Sequence, residues 1–367
     1  MQTYCALRLS YFTGLLNSAV APLNSLTLEA GNPNNPKLRK KKPILDAEAY
    51  LEGIRSGDRV LLSQAITLVE SLKAEHAPLA REVVEACLPY SGRSIRLGIT
   101  GAPGVGKSSF IEAMGMYLID QGLKVAVLAI DPSSKQSRGS ILGDKTRMNK
   151  LSAQPDAFIR PSPAGESLGG VARKTRETIL LCEAAGFEAV IVETVGVGQS
   201  ETAVHSMVDF FLLLLLPGAG DELQGIKRGI VEMADLIAVN KADGERMEMA
   251  REARRAYRSA MHLFPPKESG WDPPVILCSA LLNQGMKEIW DAVRQYQTFA
   301  KEKGYFKLRR QEQAKYWLMD YLHEKLSVLF FEHPAIREQW DHIEHKVING
   351  EWSSLKAGER LLGLFKN

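Results

Sequence analysis

The sequence predicts an α/β fold in which helices cover both faces of a mostly parallel β-sheet, with further helices before and after it. Three observations indicate this fold. Seven short apolar segments alternate with longer amphipathic segments between residues 96 and 280. The most apolar of them, FFLLLLLP (210–217), is much shorter than the roughly 20 residues of a membrane span, so it predicts a buried parallel strand. The segments on either side have helical periodicity.

The composition narrows the class of protein. The 367 residues are 45% hydrophobic and 24% charged, which is typical of a soluble globular protein. A net charge of +3 is too small to indicate a nucleic-acid or membrane partner. The four cysteines lie far apart and form no CxxC pattern, which argues against a zinc site and a disulfide framework. Scattered thiols fit a reducing compartment.

Residues 1–45 are predicted to be a disordered or tail segment. The tract NPNNPKLRKKKP (32–43) is polar, proline-rich and basic, as linkers often are. The first 40 residues contain no acid before Glu29, which is a feature of organelle transit peptides, but they are not rich in arginine. We therefore expect a cytoplasmic protein, with the mitochondrial matrix as the alternative if these residues are a transit peptide.

Residues 46–93 are predicted to form an N-terminal helical extension. Asp46 is a suitable N-cap, and Tyr50, Leu51 and Ile54 share one face of the helix that follows. A second helical run is APLAREVVEACLPY (77–90). Neither run carries a polar constellation that indicates chemistry, so we expect them to pack against the next domain.

Residues 94–285 are predicted to form the central domain. The predicted strands span 96–100, 124–130, 157–161, 187–193, 209–216, 236–240 and 275–280, and helices fit around 108–121, 168–185 and 245–262. Ligands of such sheets bind beyond the carboxyl ends of the strands. Each motif described below follows a strand, so we expect the motifs to form one site.

Residues 286–367 are predicted to be helical again. An apolar stripe within YWLMDYLHEKLSVLFF (316–331) consists of Trp317, Tyr321, Leu322, Leu326, Leu329 and Phe330. The histidines of this region, His323, His333, His342 and His345, lack the spacing of a metal site, and we expect them to be solvated.

The stretch GAPGVGKSS (101–109) matches the GxxxxGK[ST] pattern of a phosphate-binding loop, or P-loop, between a strand and a helix. Its glycines allow backbone N–H groups to turn toward phosphate oxygens, and the next helix offers its N-terminus to anionic charge. Lys107 is expected to reach the β- and γ-phosphates, and the Ser108 hydroxyl to ligate Mg²⁺. The expected nucleotide-binding residues are Gly101, Ala102, Pro103, Gly104, Val105, Gly106, Lys107, Ser108 and Ser109.

Two further motifs indicate which base is bound. NKAD (240–243) follows an apolar run, and the Asp243 carboxylate can accept hydrogen bonds from a guanine N1–H and amine, a pair that adenine does not present. Asn240 is expected to tie this loop to the P-loop, and the stem of Lys241 to cover the base. In CSAL (278–281), Ser279, Ala280 and Leu281 are expected to line the base, with the Ala280 N–H donating to guanine O6. These three motifs together predict a P-loop GTPase core.

Several carboxylates are candidates for the magnesium shell. Glu193 ends the predicted strand at 187–193, and Gly196 can bring its N–H to the γ-phosphate. Asp131 follows KVAVLAI at the same edge and can also cap its own turn, while Asp144 could join the shell or be a solvated loop acid. Since Mg²⁺ keeps several waters, carboxylates in its outer shell are expected.

The order of these motifs resembles one protein family. DPSS (131–134), RGSILGDKTRM (138–148), ETVGVGQSE (193–201), GAGDELQGIKRGI (218–230) and NKAD follow the P-loop in sequence. This order is similar to that of the methylmalonyl-CoA mutase-associated GTPases, also labelled arginine-transport kinases. The resemblance covers roughly residues 46–367. Arg138 departs from the pattern, and the first 40 residues match nothing in it.

The resemblance implies a function. Members of the family are GTPases of the metallochaperone-like branch, in which Glu replaces the usual magnesium-loop Asp. They form homodimers and guard an adenosylcobalamin-dependent acyl-CoA mutase, gating cobalamin delivery from an adenosyltransferase. For this chain the resemblance implies GTP and Mg²⁺ as ligands, a C-terminal dimerisation region, and switch roles for Asp131, Asp144 and Glu193–Gly196. It also implies a client-responsive third loop, GDELQGIK (220–227), with Asp221, Gln224 and Lys227.

Two questions stay open at this point. Because Val197, and not Gln, follows Gly196, intrinsic hydrolysis should be slow. Either the third loop, through a catalytic Lys227, or Gln199 could supply the missing stabilisation. The alternative function is a GTPase for nickel insertion into a hydrogenase or urease, but such proteins should carry metal-binding cysteines or a His-rich tract, which this sequence lacks.

Overall fold

The computed structural model describes residues 45–130, 148–161, 168–194, 200–218 and 228–366. The predicted tail at 1–45 lies almost wholly outside these ranges. The predicted boundaries between extension, central domain and C-terminal region, at residues 93 and 285, stay predictions. Within these ranges no helix combines the length and apolar character that a membrane crossing requires.

The central element is a seven-stranded sheet with strand order β3-β2-β4-β1-β5-β6-β7, and every neighbouring pair is parallel. The strands are β1 (Ile95–Gly101), β2 (Val125–Ile130), β3 (Ala157–Arg160), β4 (Ala189–Thr194), β5 (Phe210–Leu215), β6 (Leu236–Val239) and β7 (Val275–Leu277). All seven predicted strands exist, and the predicted α/β class is confirmed. β5 is buried along its whole length between β1 and β6, as the apolar run predicts.

Helices connect the strands and cover both faces of the sheet. They are α1 (Ala47–Arg55), α2 (Arg59–Val69), α3 (Ala77–Cys87), α4 (Lys107–Asp120), α5 (Asn149–Ser152), α6 (Leu168–Ala184), α7 (Ser200–His205), α8 (Arg228–Met233) and α9 (Met247–Met261). The helices after the sheet are α10 (Met286–Glu302), α11 (Tyr305–Glu332), α12 (Pro334–Ile348) and α13 (Ser354–Phe365).

The alternation of side chains along each strand divides the core into two layers. On one face, α4 and α10 pack on residues such as Leu97, Ile99 and Ile191. On the other face, α1–α3, α6 and α7 pack on residues such as Leu128 and Val192. The N-terminal helices therefore contribute to a main hydrophobic core, as their lack of polar constellations predicts.

The N-terminal helices also show how local sequence sets where a helix begins and ends. The Asp46 carboxylate accepts from the Ala49 N–H over 2.9 Å, so the predicted N-cap is confirmed. The helical stretch after Asp46 is divided into α1 and α2, because Gly57 has a left-handed φ of 83° and Asp58 caps the second helix. Tyr50 and Ile54 are buried on the predicted face.

The last strand is shorter than the sequence predicts. β7 ends at Leu277, whereas the prediction extends it to residue 280. The chain turns there because Ser279 and Gln284 exchange two backbone hydrogen bonds of 3.0 Å, which closes a tight loop. Gly285 completes the turn with a φ of 82°, and a Cβ at that position would lie 2.5 Å from the Leu277 carbonyl oxygen.

The predicted apolar stripe at 316–331 does not form a single face of α11. Trp317 packs against the core layer that contains α1–α3, and Phe330 packs against the small core between α12 and α13. Leu322, Leu326 and Leu329 are exposed, and so is Leu318. We call Leu318, Leu322, Leu326 and Leu329 the outer stripe of α11. They recur at helical spacing on the side away from Trp317.

Candidate nucleotide-binding site

The P-loop connects β1 to α4 at the carboxyl edge of the sheet. Gly101, Gly104 and Gly106 have φ values of 152°, 82° and 91°, which other residues rarely adopt. Gly101 also lies so close to β5 that a Cβ would approach the Leu214 carbonyl oxygen to 2.6 Å. The glycines therefore set the shape of a loop that opens onto the N-terminus of a 14-residue helix, which is favourable for anionic ligands.

Lys107 is the buried cation of this loop. Only 9% of the residue is exposed, and its Nζ donates to the carbonyl oxygens of Gly101 and Ala102 over 2.8 and 3.2 Å. Burial lowers the pKa of Lys107, while the charges of Glu193 and Glu201 raise it. The ammonium group is thus held by carbonyl dipoles and two carboxylates, and phosphate oxygens of a ligand can replace the carbonyls as acceptors.

Ser108 and Glu193 meet beside Lys107. The Ser108 hydroxyl donates to Glu193 Oε1 over 3.3 Å, and Glu193 is 9% exposed. β4 places Glu193 opposite Ile99 of β1, two residues before the P-loop begins. A hydroxyl and a carboxylate are hard oxygen ligands, so this pair fits a magnesium ion bound next to phosphate groups.

Asn240 joins the loop after β6 to the P-loop. Its Nδ2 donates to the Val105 carbonyl over 2.9 Å, and its Oδ1 accepts from the Ala280 N–H over 3.1 Å. The side chain is 1% exposed. These contacts confirm the predicted tie between the two loops and bring the 278–281 loop to the same place. The expected role of the Ala280 N–H toward guanine O6 stays a prediction.

The other residues of this loop surround the position expected for a base. Lys241 has a left-handed φ of 58°, and its Nζ donates to the Gly104 carbonyl over 2.9 Å, so its stem crosses the P-loop. The Asp243 carboxylate accepts a short hydrogen bond from the Ser279 hydroxyl. Leu281 is 83% exposed, so its side chain is not part of a buried wall.

Some predicted site residues cannot be placed in this geometry. Asp131, Asp144, Gly196 and Lys227 lie outside the described residues, as do Gln199, Asp221 and Gln224. Their expected roles stay predictions. The described part of the chain contains no group of three or more His, Cys, Asp or Glu residues that could hold a metal ion by itself.

The structure adds residues to which the sequence analysis assigns no role. Glu201, in the first turn of α7, is 3% exposed, and its charge acts on Lys107. Thr194 and Thr100 share a buried hydroxyl–hydroxyl hydrogen bond of 2.9 Å, which ties the end of β4 to the end of β1. The sequence signal that could have indicated Glu201 is its place at the end of the motif ETVGVGQSE (193–201).

Comparison with known proteins agrees with this geometry. Residues 62–335 match the family model described as methylmalonyl-CoA mutase-associated GTPase MeaB. A putative GTPase of Caulobacter vibrioides is 49% identical over 88% of this chain and 99% of its own length. The GTPase ArgK of Escherichia coli is 51% identical over 74% of this chain and 82% of its own length.

Two further relatives extend the comparison. The methylmalonic aciduria type A homolog, mitochondrial, of Mus musculus is 45% identical over 86% of this chain and 78% of its own length. The crystal structure of a LAO/AO transport system kinase aligns with a TM-score of 0.72 at 39% identity, covering 89% of this chain and 100% of that one.

The tie made by Asn240 can be tested through stability. In Asn240→Ala, the buried Val105 carbonyl and the partly buried Ala280 N–H lose their partner. We expect the free energy of unfolding of the nucleotide-free protein to fall by about 1–3 kcal/mol. Urea denaturation measures this, with Asn149→Ala, an exposed position on α5, as the control. A variant as stable as the parent protein would show that the tie contributes nothing to the fold.

Proposed function

The chain belongs to the methylmalonyl-CoA mutase-associated GTPase family, and we propose that it is a GTP-hydrolysing chaperone of a cobalamin-dependent acyl-CoA mutase. In this role it gates the loading of adenosylcobalamin and protects or reactivates the mutase. The hydrolysis of GTP to GDP and phosphate follows from the family. The observation that carries the nucleotide part of the proposal is the direct contact between Asn240 and Val105, which joins the loop that contains Asp243 to the phosphate-binding loop.

The residues at the carboxyl edge have separate tasks in this proposal. Lys107 exchanges the carbonyls of Gly101 and Ala102 for phosphate oxygens, where its charge opposes the negative charge that develops on the transferred group. Ser108 and Glu193 hold Mg²⁺, with Asp131 and Asp144 as further carboxylates. The ion supplies charge neutralisation and orientation of the phosphates. Asp243 accepts from the guanine base, and Lys241 covers its face.

The proposed client, the acyl-CoA mutase, is inferred from the names of the family and of one relative. The family model is named for its association with methylmalonyl-CoA mutase, and the mouse relative is named for methylmalonic aciduria. A cobalamin adenosyltransferase is the second partner in the proposal. The compartment is the cytoplasm, or the mitochondrial matrix if residues 1–40 are a transit peptide. The mouse relative is named mitochondrial, which gives weight to this alternative.

We assign the outer stripe of α11 to a second copy of this chain. Leu318, Leu326 and Leu329 are each more than half exposed, at 58%, 55% and 60%. Exposed apolar residues in a continuous stripe are costly in a monomer and typical of an interface. A homodimer uses the stripe of each copy against the other, which is how most soluble oligomers close.

Guanine specificity is the first prediction of the proposed function. The parent protein should bind GDP far more tightly than ADP or XDP. In Asp243→Asn, GDP affinity should fall by at least about a hundredfold and XDP affinity should rise, because Asn can donate to the xanthine 2-oxo group. Calorimetry with the three diphosphates measures this. The control is Glu245→Gln, which removes an exposed carboxylate two residues away. Equal ADP and GDP affinities in the parent protein contradict the assignment.

The dimer is the second prediction. Light scattering should give the parent protein twice the mass of one chain. The double change Leu326→Glu and Leu329→Glu places charges on the outer stripe, and it should halve the mass because a buried unpaired charge is strongly unfavourable. Leu72→Glu, at a leucine that is 79% exposed outside α11, should leave the mass unchanged. A monomeric parent protein excludes this use of the stripe.

Stimulation by the client is the third prediction. A cobalamin-dependent acyl-CoA mutase should accelerate single-turnover GTP hydrolysis, and Lys227→Ala should abolish most of the stimulation. A cation placed on the transferred phosphate can contribute on the order of 10³-fold or more. Lys150→Ala, at an exposed lysine of α5, serves as the control.

The outcomes separate the parts of this prediction. Stimulation that survives Lys227→Ala excludes that residue and leaves Gln199 as the candidate. A parent protein that does not respond to the mutase contradicts the chaperone function, although not the GTPase activity.

A further inference from the structure

Helix α7 connects the nucleotide site with the opposite edge of the sheet. It is the next described element after β4, and its first turn holds Glu201, whose charge acts on Lys107. Its last residue, His205, begins a short connection at 205–209 that leads into β5 at the amino edge. We call residues 205–209 the α7–β5 connection. The connection is therefore continuous with a helix whose first turn carries a charge that acts on the P-loop lysine.

α7 and the connection lie directly on β1. Gly98 of β1 has no space for a side chain, since a Cβ there would lie 2.9 Å from Val204 Cγ1 and 2.9 Å from Val208 Cγ2. Both valines are fully buried. This close approach takes place three residues before Gly101, where the P-loop begins. The helix thus rests on the strand that carries the phosphate-binding loop.

Helix α11 holds the other side of the connection with four of its side chains. Arg309 Nη2 lies 3.2 Å from His205 Nε2, and Arg310 forms two hydrogen bonds of 2.7 and 2.8 Å with the Asp209 carboxylate. Between them, Trp317 Nε1 donates to the Ser206 carbonyl over 3.1 Å, and Gln313 Nε2 donates to the Val208 carbonyl over 2.8 Å. Four of the five residues of the connection are therefore bound by side chains of one helix.

The chemistry of these contacts fixes the position of the connection. A guanidinium group can only donate, so His205 accepts through Nε2 and carries its proton on Nδ1. Burial, followed by the charge of Arg309, lowers the pKa of His205 to about 4, which keeps the ring neutral near pH 7. Asp209 Oδ2 also accepts from the Arg96 backbone N–H over 2.9 Å, so one carboxylate links α11 to β1.

Ion pairs with α6 hold α11 in place. Arg176 and Arg173 of α6 form ion pairs of 2.6 and 3.3 Å with Asp320 and Glu324. Gln313 is 6% exposed and Arg309 is 9% exposed, so the contacts with the connection are shielded from water. A shielded hydrogen bond resists exchange with solvent more than an exposed one does. The residues that bind the connection form what we call the inner face of α11.

We infer that Gln313 and Trp317 are positioning residues for GTP hydrolysis, which hold α7 against β1 through the Ser206 and Val208 carbonyls and so keep its first turn, with Glu201, in place at the nucleotide edge of the sheet. They touch neither the P-loop nor the 240–243 loop within the described residues, so their effect falls on turnover and not on nucleotide binding. The inference rests on the GTPase activity of the family and is independent of the proposed mutase client.

The test uses the full-length chain and two variants, each of which removes one of the two donors. Gln313→Met keeps the volume of the side chain but cannot donate to Val208, and Trp317→Phe loses the indole N–H that binds Ser206. Three quantities are measured without any mutase: the single-turnover rate constant for GTP, the Kd for GDP, and the midpoint of thermal unfolding.

We expect each variant to lower the rate constant on the order of tenfold, because small displacements of catalytic groups have large effects on rate. The Kd for GDP should stay within about twofold of the parent value, which separates turnover from binding. The matched controls are Gln311→Met and Tyr316→Phe, at exposed positions of the same helix, and both should hydrolyse GTP at the parent rate.

Two results overturn the inference. One is a folded Gln313→Met or Trp317→Phe protein, assayed well below its unfolding midpoint, with parent-like turnover. The other is a parallel loss of GDP affinity and turnover, which indicates a general loosening of the site. If Gln313→Met does not fold, Trp317→Phe decides the question alone. These results are independent of the proposed client, because all three quantities are measured without a mutase.

Discussion

The buried charge of Lys107 is the constraint on which the arrangement of the carboxyl edge depends. An ammonium group at 9% exposure is stable only if the surrounding protein replaces its hydration. The replacement comes from the carbonyls of the P-loop itself and from the charges of Glu193 on β4 and Glu201 on α7. These groups belong to three separate elements, and the elements must be correctly positioned for the buried charge to be stable. The Thr100–Thr194 hydrogen bond and the parallel pairing of β1 with β4 position Glu193 relative to the P-loop. Lys107 and Glu193 are also the groups that we propose for binding a magnesium–nucleotide ligand, so the same charges serve the stability of this edge and its proposed function.

Elements set by local sequence were predictable, and elements set by distant contacts were not. The β5 run is apolar enough to indicate a buried strand without further information, and Asp46 signals the start of a helix through its own hydrogen bond. β7 ends early because Ser279 pairs with Gln284 and Gly285 turns the chain, which the apolar pattern VILCSA conceals. The stripe on α11 divides because Trp317 finds a partner in the core, more than 100 residues away in sequence from Ser206. Periodicity identifies which residues share a helix face, but it does not identify what each face meets.

The candidate site divides in the same way. The P-loop and the 240–243 loop are contiguous motifs, and the residues that they predict do lie together, joined through Asn240 and Val105. Glu201 escaped prediction because its importance depends on α7 lying over β1, and that packing depends on the absence of a side chain at Gly98. A glycine inside a strand pattern signals a close approach, but the sequence does not reveal which element approaches. The inner face of α11 could not be predicted for a related reason. In the sequence, its residues are ordinary polar and aromatic residues of an amphipathic helix: Arg309, Arg310, Gln313 and Trp317.

The two faces of α11 have a consequence for regulation. The inner face holds the α7–β5 connection, while the outer stripe, on the other side of the same helix, is the surface that we assign to a second copy. A helix of 28 residues transmits a shift or rotation along its length, because its backbone hydrogen bonds resist local deformation. Binding at the outer stripe that displaces α11 must therefore either carry the connection with it or break the contacts of Gln313 and Trp317. Within the described residues, the side chains that would pass such a displacement to the connection, and through α7 to the nucleotide edge of the sheet, are Arg309, Arg310, Gln313 and Trp317.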